Sequence, residues 1–88
     1  MSDLAIANKI GLMTSNLHHI EEGIADSGTA FKLKIAQEDL QLFLKGEAND
    51  NMAAKFNLRA GDLQLLLNKL GQQGAVGLLI GLLLGQTS

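Results

Sequence analysis

His18, Glu22 and Asp26 stand at i, i+4 and i+8, so on a helix they line up one turn apart and form a conceivable metal stripe. His18 and His19 are neighbours, and neighbouring helical side chains point about 100° apart, so the two imidazoles cannot share one ion. Cysteine is absent and no further histidine reinforces the stripe. Glu21, Glu22 and Asp26 therefore read as a solvated acidic face. No phosphate-cradling GxxxxGK, dinucleotide GxGxxG or nucleophile-elbow GxSxG occurs. The expectation is a protein that is not an enzyme, with no catalytic residue, cofactor or metal.

Eighty-eight residues make one small domain with a modest core. Without cysteine there is no disulfide or thiolate site to staple it, which leaves oligomerisation as the common route to further burial. Apolar residues make up 47% of the chain, which is too many for a disordered one. They are mostly leucine, isoleucine and alanine, and proline is absent, so the composition favours helices. A net charge of −2 and a pI near 5.5 run against a strong nucleic-acid binder, because phosphate contacts need a basic excess. The opening MSDLAIANK lacks the apolar core of a secretory signal. Cytoplasmic placement is the expectation, with unconventional secretion left open.

The positions that could present a surface are set by helices. Over Ser2–Ala25, residues Ile6, Ile10, Met13, Leu17, Ile20 and Ile24 recur at 4-3-4-3-4 spacing and predict one long amphipathic helix. That stripe resembles a coiled-coil seam, and it either packs on the chain's own core or pairs two subunits. Asp26-Ser27-Gly28-Thr29 is a break, with Thr29 capping a second helix over Ala30–Lys45 that Gly46 ends. Asn49, Asp50 or Asn51 caps a third helix near Asp50–Phe56. Asn57 supplies the left-handed residue of a tight turn. A fourth helix covers Ala60–Leu70 and stops at Gly71 or Gly74. The last apolar run, Gly74–Gly85, is twelve residues, against the roughly 20 a membrane helix needs. Gly77, Gly81 and Gly85 form a small-residue ridge on it that would permit close helix contact. The run is helix or strand.

Asn49–Val76 resembles the helix-turn-helix superfamily, and its continuation resembles the opening of a winged helix. Met52 and Ala53 match the apolar-then-small pair of the first helix. Phe56, Asn57 and Leu58 match the turn, and Leu63 and Leu66 match the inward positions of the second helix. Leu70, Gln72-Gln73, Gly74 and Ala75-Val76 look like the lead into a first wing strand. The resemblance implies that the second helix lies in a major groove. It would place Arg59, Gln64 and Asn68 toward bases and Lys55 and Lys69 toward phosphates. Leu65, however, falls where that helix should face the groove, and only twelve residues follow Val76, none of them Lys or Arg.

The sequence thus predicts an all-α fold of four to five short helices with a helix-turn-helix-like core and a long N-terminal amphipathic helix. Its parts are residues 1–28, a candidate dimerisation element, residues 29–76, the core, and residues 77–88, an apolar Gly-rich tail. The first functional expectation is a small regulator or accessory protein, a homo-oligomer that binds DNA weakly or through another protein. The second is a self-assembling or partner-binding helical protein, such as a secretion-related or filament subunit. In that case the seam Ile6, Ile10, Met13, Leu17, Ile20 and Ile24, together with Leu65, Gly77, Gly81 and Gly85, forms interface. Membrane contact is not expected.

Overall fold

A computed structural model describes residues 2–86, with Gln72 given by its backbone alone. All the described secondary structure is helical. The elements are α1 (Asp3–Lys9), α2 (Thr14–Glu21), α3 (Ser27–Leu33), α4 (Gln37–Leu44), α5 (Asp50–Lys55) and α6 (Ala60–Gln86), the last broken at Gly71.

The long N-terminal helix expected from the sequence is two helices. Ser2 caps α1, its Oγ accepting the Ala5 N–H at 3.2 Å. Gly11 then takes φ +78, a left-handed conformation that glycine adopts without strain. The Leu12 N–H reaches back to the Ala7 carbonyl at 2.8 Å, and this turn swings Leu12 into the core. The apolar period runs through the break because each helix has its own inward face. Leu17 and Ile20 are buried, Ile6 and Ile10 are half-buried, and Met13 and Ile24 are exposed. The six residues therefore do not form one continuous seam.

The expected second helix is also divided. Asp26, not Thr29, caps α3, accepting the Thr29 N–H on Oδ2 at 3.0 Å. Thr29 lies a turn inside and is fully buried. Lys34 adopts φ +60 and ends α3. No glycine or proline announces this break. It lets Leu33 stay buried and brings Ile35 against the core before α4 starts. Gly46 ends α4 as expected, and of the three caps the sequence offered Asn49 is the one that caps α5, its Oδ1 accepting the Met52 N–H at 2.9 Å. Asn57 takes φ +57 in the turn that follows, again as expected.

The C-terminal run, left open between helix and strand, is helix. Its Ala75, Leu79 and Leu83, one turn apart, insert into the same core as Phe43, Leu40, Met52 and Leu63. Gln86 anchors its far end by donating from Nε2 to the Lys55 carbonyl at 2.5 Å. Residues 87 and 88 of the tail lie outside the described residues. Among the described residues no helix is long and apolar enough to cross a membrane.

Candidate interaction surface

The surface with the most chemistry on it is the unit made by α5, its turn and the first half of α6. Met52, Ala53 and Phe56 are buried from the α5 side, and the Leu58 N–H bonds to the Ala53 carbonyl at 2.9 Å to close the turn. Leu63 is inward, as the sequence pattern required, but the second inward residue is Leu67 and not Leu66. Positions i and i+4 share a helical face more closely than i and i+3, so burying Leu63 and Leu67 rotates Leu66 outward.

Leu65 is consequently 59% exposed, and Leu66 and Leu70 are exposed beside it. Leu66 and Leu70 stack one turn apart, and Leu65 lies about 100° round the helix from Leu66. Asp62 and Lys69 are the polar residues that interrupt this outer face.

The polar residues proposed to face DNA have different surroundings. Arg59 and Lys69 are exposed and Lys55 is half-buried, and none of the three forms an ion pair among the described residues. Gln64 is engaged inside the chain. Its Oε1 accepts the Ala48 N–H at 2.9 Å, and its Nε2 donates to the Gly46 carbonyl at 3.0 Å and to Asn68 Oδ1 at 2.9 Å. Gln64 thereby clips the α4–α5 loop onto α6, and Asn68 is bonded in turn. Replacing Gln64 with alanine removes three hydrogen bonds from a half-buried site. It is expected to lower stability by about 1–2 kcal/mol, read by chemical denaturation, and to speed amide exchange over residues 46–49.

The glycine ridge faces away from the core. A Cβ built at Gly77, Gly81 or Gly85 would meet no atom of another described residue within 4 Å, so there is open space where side chains at these positions would stand. The histidine stripe is dispersed. His18 Nε2 lies 3.4 Å from Asp3 Oδ2, and with Glu21 these form an exposed cluster whose donor atoms fall within 4.8 Å of one another. Asp26 is instead occupied as the α3 cap, and His19 Nδ1 lies 3.9 Å from it.

Phe31, 84% exposed on α3 beside Lys32, was not singled out by sequence reasoning. The helical phase would have found it, since once Ala30 and Leu33 are inward Phe31 must turn outward. Open surface clefts of about 290 and 320 Å³ lie among the described residues, the first beside Glu21, Glu22 and Lys45. The second is lined by Lys34, Asp39, Asn51 and Lys55, and its carboxylate already accepts from Asn49 at 2.6 Å and Asn51 at 3.3 Å.

Family models, curated proteins and solved structures give no match to this chain.

Proposed function

We propose that this chain is a non-enzymatic helical module that self-associates through the outer face of the first half of α6. The observation that carries this reading is the exposure of Leu65, Leu66 and Leu70 together on the first half of α6. Grouped exposed leucines on a small domain mark contact surfaces, whereas single ones need no explanation. The lack of cysteine suits work in a reducing compartment such as the cytoplasm.

Replacing Leu65 and Leu66 together with glutamine tests the reading. Both side chains are exposed and glutamine is a good helix former, so the fold is expected to change in stability by less than about 0.5 kcal/mol. Sedimentation equilibrium is expected to show the parent chain gaining mass with concentration and the double variant remaining monomeric. A parent chain that stays monomeric up to millimolar concentration rejects the proposal.

The helix-turn-helix reading keeps one specific observation in its favour. The tight Asn57 turn joins α5 to α6, and Arg59, just before α6, and Lys69, on it, are exposed and free of ion pairs among the described residues. Under that reading the same chain binds duplex DNA at low salt with a steep loss of affinity as salt rises. Absence of binding at low salt removes it.

A further inference from the structure

We propose that α6 is a hinge for strand-free domain exchange: it straightens at Gly71 and hands residues 72–86 to the core of a second copy of this chain. The helix on each side of Gly71 is regular, and the whole bend resides in this one residue at φ +73, ψ −175. That region of backbone space is open essentially to glycine alone. A second glycine permits the same bend. A Cβ at Gly74 would sit 2.3 Å from Leu70 Cβ, an atom fixed to the backbone that cannot swing aside. In a continuous helix residues 70 and 74 are i, i+4 neighbours with ordinary separation, about 5–6 Å between Cβ atoms. Both glycines are thus required by the bent form and by nothing in the straight one, where alanine is the better helix former.

The identity of the partner follows from size and shape. Straight, the 27 residues of α6 would extend about 40 Å, beyond the 32 Å longest dimension of the molecule, so the tail must leave its own globule. It would take with it Ala75, Leu79 and Leu83, which are buried in the core, and the Gln86 bond to Lys55. The site left open is shaped for that tail, and a second copy carries the same tail. Exchange remakes every core contact between chains and changes only the hinge, the condition under which swapped dimers form at low cost. Leu65 and Leu66 take no part, so the exchange stands apart from the surface association proposed above.

The test uses the full chain in four forms: parent, Gly71→Ala, Gly74→Ala, and a chemically synthesised chain with D-alanine at position 71. The mirror image of φ +73, ψ −175 is ordinary extended backbone, so the D-residue locks the bend that the L-residue opposes. Each form also carries Lys55→Cys and Gln86→Cys, the only thiols in the chain, bridged by a short bismaleimide. Samples are warmed near their unfolding midpoint at high concentration, cooled, bridged, and read by light scattering and denaturing gel.

Gly71→Ala and Gly74→Ala are each expected to move the equilibrium toward dimer on the order of 100-fold, with helix content retained and the bridge running between chains. The D-alanine chain is expected to stay bridged within itself, whatever surface association through Leu65 and Leu66 it retains. Folded alanine variants that remain monomeric overturn the proposal, as do dimers whose bridges stay within one chain, since those are surface dimers. If both alanine variants fail to fold, the parent and D-alanine chains decide. Between-chain bridging in the parent alone supports exchange, and its absence from both overturns it.

Discussion

Replacing Leu79 with alanine is expected to destabilise the protein by about 3 kcal/mol, lowering the thermal midpoint on the order of 15 °C. Leu79 is completely buried, between Ala75 and Leu83 on the inward face of the second half of α6. Truncation removes its transfer energy and leaves a cavity that a helix pinned at both ends, by the Gly71 bend and by Gln86, cannot close. A domain of this size is worth roughly 4–13 kcal/mol in all, so the loss is a large share of the total. Alanine at Gly77 and Gly81, on the opposite face, provides the contrast. Neither has a neighbour for a Cβ to strike, and each replacement is expected to raise stability by up to about 1 kcal/mol through helix propensity. Calorimetry of the three variants reads both signs. A Leu79 variant as stable as the parent would mean that the tail is not a core element.

Replacing Asn16 with alanine is expected to cost about 2–3 kcal/mol, measured by urea unfolding. Asn16 is a nearly buried polar residue that joins α2 to α3. Its Oδ1 accepts the Met13 N–H at 3.0 Å at the start of α2, and its Nδ2 donates to Thr29 Oγ1 at 3.1 Å. The Thr29 hydroxyl in turn donates to Asp26 Oδ2 at 3.3 Å, the oxygen that caps α3. One side chain therefore secures the entry of one helix and the packing of the next. The loss combines a cap of about 1 kcal/mol with a buried hydrogen bond of similar worth and an unfilled space. Thr29→Val keeps the volume but strands the Asn16 amide, for about 1–2 kcal/mol. Because the two residues share a bond, the double variant is expected to lose less than the sum. Strict additivity would show that the bond carries no energy of its own.

The hydrogen bonds of this network span α2 and α3, and the residues that build it were the least legible in the sequence. Asn16 reads as one more polar residue beside an apolar stripe, and Thr29 reads as a cap. Features that depend on a few neighbouring residues were readable. Ser2 and Asn49 reach an N–H three residues on, Asn57 tolerates the left-handed turn, and Gly46 ends α4, because each rests on local backbone chemistry. The all-helical character was readable as well, from leucine, isoleucine and alanine without proline.

The surface was only half legible. Leu65 stood out in the sequence as a leucine at a position that should face the groove, and it is exposed. Leu66 was expected inside, and Leu67 takes that place. Gln64 had the chemistry to read a base, but the Gly46–Ala48 loop folds back onto it. No local rule assigns these outcomes, because they depend on which neighbour a helix leans against.

What the sequence by itself determined is the supply of helix: which stretches favour it, where short side chains cap it, and how its apolar residues recur. The tertiary structure alone decided where an unbroken period is cut, at Gly11 and without any signal at Lys34, and which of the two stops the sequence offered, Gly71 or Gly74, carries the bend of α6. The reason is energetic. Helix propensity and capping differ by a kcal/mol or less per residue, whereas burying a leucine contributes about 2 kcal/mol. The inward leucines of six packed helices therefore set the breaks, and the local preferences yield to them.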